Sequence, residues 1–326
     1  MTSISKKHNK RVVIVGGGTG SSVILRGLKH YTENITAIVT VADDGGGSGV
    51  LREDLGMLPP GDIRSCILAL ADDEGIMQKL LNYRFEEGML KGQNFGNLFL
   101  AAMNGISGSF MEAIKHASDV MAIKGRVLPI SLDKITLRAE LGNGEFVDGE
   151  SKIPSKALEQ KSKIRELSIF PADAKPLPEA IEAIMAAQAV IVGPGSLYTS
   201  IIPNLLVEGM KEALLTTKAK RFYISNIMTQ PGETDGYDVW DHLRAIETHL
   251  KCDGQTIFDY VVINRGKELG SPLEKYEMGG SERVRFLEGS FRGTTYRLIL
   301  DDFSEIKGAY IRHNADKVSE AILENV

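Results

Sequence analysis

"RVVIVGGGTGSSVILRGLKHY", residues 11–31, decides the fold. Val12 to Val15 form a β-branched run, Gly16-Gly17-Gly18-Thr19-Gly20 make a tight turn, and Val23, Ile24, Leu25 and Leu28 recur at helical spacing. This is one strand, one glycine loop and one amphipathic helix. The next apolar run, "ITAIVTVADD", ends in Asp43 and Asp44 and opens a second glycine-rich loop, Gly45-Gly46-Gly47-Ser48-Gly49. Two strands joined across a helix run parallel, because a tight hairpin cannot link them.

From Pro59 to Ile123 the pattern is helical, which predicts a helical layer or lid. "RVLPISLDKITLRAELGNGEFVDGES" then alternates apolar and polar residues around Asn143-Gly144, a strong hairpin signal. A small antiparallel β insertion is therefore expected over residues 125–170. Beyond it the alternation resumes, with "AVIVGPGS", "RFYISN" and "YVVIN" as strands and helical patterns between them. The expected architecture is a single α/β domain over residues 11–326, doubly wound around a mostly parallel Rossmann-like sheet. Residues 1–10 read as a disordered lead.

Composition excludes several classes. The 326 residues carry a formal charge of -5, against the basic face that general nucleic-acid binding needs, so no nucleic-acid partner is expected. "MTSISKKHNK" precedes no apolar stretch longer than a strand, which argues against an export signal or membrane insertion. The two cysteines, Cys66 and Cys252, offer no CxxC site or disulfide framework. A reduced, cytoplasmic protein is expected.

Ligands of open parallel sheets bind outside the carboxyl ends of the strands. Four loops occupy such positions. The first supplies Gly17, Gly18, Thr19 and Gly20 at a helix N-terminus, where bare amides favour phosphate. Ser21 stands at the third glycine of the dinucleotide fingerprint, which weakens a nicotinamide reading, and no P-loop lysine follows. A purely structural turn is equally compatible. Asp43 and Asp44, with Gly45 and Ser48 after them, suit ribose or sugar hydroxyls, or a cation; a solvated acidic turn is the alternative. The third loop offers Gly193, Gly195, Ser196 and Thr199, and the fourth Asn226, Thr229, Gln230 and Glu233. Two glycine loops from two halves of one sheet suit a diphosphate. Asp62, Asn94 and Asn97 join the candidates, although each type also caps helices.

The six histidines include no HExxH pattern or triplet at metal spacing, and no G-x-S-x-G elbow appears, which disfavours a closed zinc site and an α/β-hydrolase nucleophile. Clustered acids, Asp43, Asp44, Asp54 and Asp62, leave a phosphate-bridging magnesium open. No cofactor is required by the pattern.

In this order, GGGTG, ADDGGGSGVLR, PPGDIR, NFGN, GPGSLYTSIIPN and SNIMTQPGET resemble the gluconeogenesis factor family, the YvcK-like proteins, over about Val12 to Ala321. That family shares a superfamily with the CofD-like 2-phospho-L-lactate transferases. The resemblance implies binding of UDP-glucose and UDP-N-acetylglucosamine, a role in cell shape and wall synthesis during gluconeogenic growth, and no established catalysis. Through the transferase cousins it also implies an alternative, phospholactyl transfer from a nucleoside-diphosphate donor with magnesium, in which Asp62 corresponds to an acidic acceptor-site residue. The DDGGGSG loop departs from the transferase pattern and favours the regulatory branch.

Asn314 reads as the N-cap of the last helix, with Arg312 just before it in "AYIRHNADKVSEAIL". A surface arginine paired with an acid is the simplest account. The family's Arg-His pair at this place resembles a ligand-contacting element, and a diphosphate held by neutral amides needs a cation with bidentate reach, so Arg312 is expected to clamp phosphate. A homo-oligomer, most simply a dimer, is expected because closed two-fold pairs are common.

Overall fold

The apolar runs that read as strands of the main sheet lie side by side and all point the same way. The computed structural model describes residues 9–72, 75–266 and 272–326. In chain order the strands are β1 (Val12–Gly16), β2 (Ile35–Val39), β3 (Arg126–Pro129), β4 (Thr136–Leu141), β5 (Phe146–Asp148), β6 (Ile164–Phe170), β7 (Ala189–Val192), β8 (Lys220–Ile224), β9 (Tyr260–Asn264), β10 (Arg297–Asp301), β11 (Ser304–Lys307) and β12 (Tyr310–His313). Seven of them form one sheet in the order β10-β9-β8-β7-β1-β2-β3, with every pairing parallel. β1, β2, β7 and β9 are buried along their whole length. Helices covering both faces explain why these strands are continuous apolar runs rather than alternating ones.

The chain winds outward from β1 through β2 to β3, then restarts beside β1 at β7 and winds the other way. The switch point therefore falls between β1 and β7, where the loops after these two strands diverge. Helices α1 (Gly18–Tyr31), α2 (Gly46–Leu55) and α3 (Gly61–Leu70) follow the first two strands. α1 buries Ile24, Leu25 and Leu28, as its spacing predicts, and packs against α3 and the last helix, Ala315–Leu323. Ile76–Asn82, Phe95–Ser107 and Phe110–Val120 make up the expected helical layer.

The hairpin at Asn143-Gly144 is present: Gly144 has φ +87° and its amide bonds to the Leu141 carbonyl at 2.9 Å. β4 pairs antiparallel with β5 and with β6. The insertion is shorter than residues 125–170, however, because Arg126–Pro129 pairs in parallel with β2 as the sheet's edge. A short apolar segment with an exposed first residue satisfies an edge strand as well as a hairpin arm, and only the pairing distinguishes them. Most of the lead expected to be disordered, residues 1–8, lies outside the described residues. Lys10 departs from that expectation: its ammonium donates to the carbonyls of Leu323 at 3.0 Å and Val326 at 2.8 Å, at and just past the end of the last helix. Favourable charge at a helix C-terminus accounts for that anchor. Among the described residues no helix is long and apolar enough to cross a membrane.

Candidate functional site

A cleft of about 530 Å³ opens at the switch point. The first and third loops form its floor, with Gly17, Gly18, Thr19 and Gly20 meeting Pro194, Gly195 and Ser196. A Cβ on Gly20 would stand 2.1 Å from the Pro194 carbonyl oxygen, so the loops touch backbone to backbone and only glycine fits between them. Asn226 binds both backbone groups of Gly195, accepting from its amide at 3.2 Å and donating to its carbonyl at 2.8 Å. Gln230 donates to the Ser196 hydroxyl at 2.7 Å. The third and fourth loops are thus held as one rigid wall, with Thr229 buried beside them and its hydroxyl accepting from the Glu282 amide.

Asp62 enters this cleft from α3. It does not cap its own helix, whose N-cap is Pro60 with no side-chain bond. Instead its carboxylate accepts from the Gly18 amide, which pulls its pKa down, while burial first and the neighbouring Asp43 second push it up, to a net value of about 6. A Cβ on Gly18 would meet that carboxylate at 2.5 Å. The glycines of the first loop therefore admit a carboxylate and a second loop, in addition to leaving amides bare.

Arg312, in β12, lines the cleft with Tyr310, Ile311 and His313. Its guanidinium lies 4.8 Å from the centre of the Tyr310 ring. Ile227, Met228 and Ile311 form a small buried apolar cluster there, with Tyr276 packed against it. His313 bonds through Nε2 to the Ser225 carbonyl at 3.1 Å; burial is the main reason its pKa falls to about 4, so it is neutral near pH 7. The cleft thus combines a cation and aromatic rings, Arg312, Tyr276 and Tyr310, with two acids, Asp62 and Glu150.

Several expected ligand contacts lie elsewhere. Asp43, Asp44, Gly45 and Ser48 are not on the cleft wall. Asp43 accepts from the Gly45 amide at 2.9 Å, Asp44 from the Ser151 amide at 2.9 Å, and Ser48 from the Asn97 side chain at 3.4 Å. The second glycine loop is the start of α2, with two carboxylates already placed at a helix N-terminus where an anion would otherwise bind. Asn94 is buried as the N-cap of Phe95–Ser107 and accepts from the Asn97 amide, while Asn97 accepts from Arg64 at 2.8 Å. Gly193, with φ +83°, shapes the third loop from beneath. Thr199 donates its hydroxyl to Glu233, and Glu233 also accepts from the Tyr198 amide; burial pushes Glu233 up to about 7. Thr199 and Glu233 brace the loop from inside the protein.

One cleft residue carries no signal in the sequence. Glu150 follows the hairpin, in a segment that reads as part of an insertion remote from the loops, yet it lines the cleft. The Asp44–Ser151 bond ties its turn to the second loop, and the insertion also presses on the fourth loop, since a Cβ on Gly232 would stand 2.1 Å from the Pro154 carbonyl oxygen. Burial, followed by Asp43, Asp62, Asp44 and Glu233, pushes Glu150 up to about 9. It is therefore protonated near pH 7. Among the described residues, no three His, Cys, Asp or Glu side chains converge in a way that could hold a metal ion.

The family model described as 2-phospho-L-lactate transferase CofD matches residues 12–304. The chain belongs to the CofD family. Within it, the chain is 54% identical to a putative gluconeogenesis factor of Thermoanaerobacterium thermosulfurigenes over 99% of both chains. It is 42% identical to the gluconeogenesis factor of Bacillus subtilis over 96% of this chain and 97% of that protein. A crystal structure of a UPF0052 family member from Bacillus halodurans superimposes with a TM-score of 0.91 at 45% identity, covering 98% of this chain and 99% of that one. The CofD-family chain therefore groups with the gluconeogenesis factors, as its loop motifs indicate, and shares their α/β fold.

Proposed function

We propose that this gluconeogenesis-factor relative is a cytoplasmic regulatory protein that binds a nucleotide sugar, with UDP-glucose and UDP-N-acetylglucosamine as the ligands, and acts in cell shape and wall synthesis during gluconeogenic growth. The observation that carries the reading is the composition of one cleft: Gly17 to Gly20 and Gly195, the Arg312 guanidinium, and the acids Asp62 and Glu150 all line it. A diphosphate favours amides and a planar cation, a base favours the aromatic surface of Tyr276 and Tyr310, and a sugar favours carboxyl groups. No cofactor is called for, and a dimer is the proposed assembly, to be checked by light scattering.

The test is calorimetric titration with UDP-glucose, UDP-N-acetylglucosamine, guanosine and adenosine diphosphate compounds and NAD, each with and without magnesium, followed by a product assay. Arg312→Ala is expected to remove most UDP-sugar affinity, because a charged hydrogen bond contributes about 1.5–3 kcal/mol, while the thermal melt stays cooperative. Arg312→Lys should recover part of it, since the point charge survives and the bidentate fork does not. An alanine variant that binds like the parent would show that Arg312 does not clamp the diphosphate. The description of the family model favours a second reading, transfer of a phospholactyl group from a nucleoside-diphosphate donor; turnover of such a donor in the product assay would select it.

A further inference from the structure

Glu150 has an oxygen with no visible purpose in the protein. Its Oε2 is buried and, among the described residues, has no hydrogen-bond partner. Native proteins leave few such atoms unpaired, and an unpaired one on the wall of a cleft is explained by what the cleft holds. Its placement is specific. Gly149, with φ +102°, permits the turn, and a Cβ there would collide with the Asp44 carboxylate at 2.6 Å, while Asp44 holds the next amide, that of Ser151, at 2.9 Å. The insertion is thereby folded over the second loop so that Glu150 lines the same cleft as the first loop and Asp62, whose charge acts on it.

Diphosphate oxygens do not suit this end. Asp62 already occupies the Gly18 amide, and Asp43, Asp44 and Glu233 all act electrostatically on Glu150. An added anion meets repulsion, whereas a neutral polyol does not. A carboxyl group held in its acid form offers one O–H donor and an acceptor oxygen, which matches a sugar hydroxyl that both accepts and donates. We infer that Glu150, supplied by the β insertion, is a specificity-determining residue that hydrogen-bonds the sugar hydroxyls of the bound nucleotide sugar and separates it from the free nucleoside diphosphate. This rests on the nucleotide-sugar reading of the cleft.

The experiment titrates UDP-glucose and UDP against the full chain and against Glu150→Ala and Glu150→Gln at pH 7, with a thermal melt of each. Glu150→Ala should lose about tenfold in affinity for UDP-glucose, the worth of a hydrogen bond to a buried group, and keep its affinity for UDP within about twofold. Glu150→Gln retains a donor and an acceptor of the same shape, so it should bind UDP-glucose within about threefold of the parent. Equal losses for both ligands in the alanine variant overturn the inference, because Glu150 would then act on the nucleotide or on the cleft as a whole. A glutamine variant as impaired as the alanine variant also overturns it, because the anionic form, as for a bound cation, would be what matters. A parent that binds UDP but gains nothing from the glucose overturns the inference alone; a parent that binds neither ligand overturns the nucleotide-sugar reading with it.

Discussion

Replacing Glu150 by glutamine should change how the ligand-free protein responds to alkali. The ordinary value of this carboxyl is 4.5, and burial among Asp43, Asp62, Asp44 and Glu233 holds it at about 9. Between those values the folded chain binds a proton that the unfolded chain has released. Glu150 therefore contributes stability that is complete below 4.5 and is lost as the pH rises toward about 9. The slope is about 1.4 kcal/mol per pH unit, so raising the pH from about 7 to about 8.5 should cost the parent about 2 kcal/mol. Other shifted acids share this sign but act lower, Asp62 up to about 6 and Glu233 up to about 7. His313 has the opposite sign and acts between its ordinary 6.5 and about 4, so it too falls below the window. The assay is urea unfolding at both pH values, at constant ionic strength and without ligand, with unchanged m values as the check on two-state behaviour. The parent should lose most of the stated amount and Glu150→Gln little of it. Parallel losses in the two proteins would refute the reasoning, because Glu150 would then ionise as an ordinary surface acid.

Gly20→Ala places a Cβ 2.1 Å from the Pro194 carbonyl oxygen; the loops must separate, which should cost about 1–3 kcal/mol and weaken ligand binding, visible as a lower melting temperature and a poorer titration. Asn94→Ala removes the cap of Phe95–Ser107 and should cost about 1 kcal/mol in urea unfolding while leaving UDP-sugar affinity at the parent's value, in contrast to a ligand-binding role for that residue. Asp44→Ala frees the Ser151 amide and should lower affinity for UDP-glucose more than for UDP, in the same direction as Glu150→Ala, when both ligands are titrated side by side.

The core of the fold was legible because the sheet is buried on both faces. Strands such as Val12–Gly16 and Tyr260–Asn264 must then be unbroken apolar runs, and glycine turns followed by helical spacing identify what comes after them. Arg126–Pro129 was misassigned to the insertion for a related reason: it is an edge strand with an exposed first residue, and such a segment has no periodicity that separates an edge of the main sheet from an arm of a hairpin. Its partner, β2, lies far back in the chain. Pairing between distant segments leaves no local trace.

The candidate cleft was legible where backbone lines it. Gly17, Gly18, Gly195 and their neighbours announce close backbone approach at strand ends, and the sheet brings both loops to one switch point. Carboxyl groups were not legible in the same way, because a loop shows its composition but not the direction in which an acid points. Asp43 and Asp44 stand in the more conspicuous motif and turn inward to hold amides of Gly45 and Ser151. Asp62, with a capping position to hand, reaches across to Gly18 instead, and Glu150 arrives from a segment that no motif connects to the cleft. The occupied Gly18 amide also constrains the ligand. An anion at that helix terminus competes with Asp62 for the same donor and meets its charge above about pH 6, whereas Ser196 and Arg312 line the same cleft with no carboxylate bonded to them among the described residues. On the proposed nucleotide-sugar reading, the diphosphate would accordingly be expected beside Ser196 and Arg312, and the uncharged sugar beside Asp62 and Glu150.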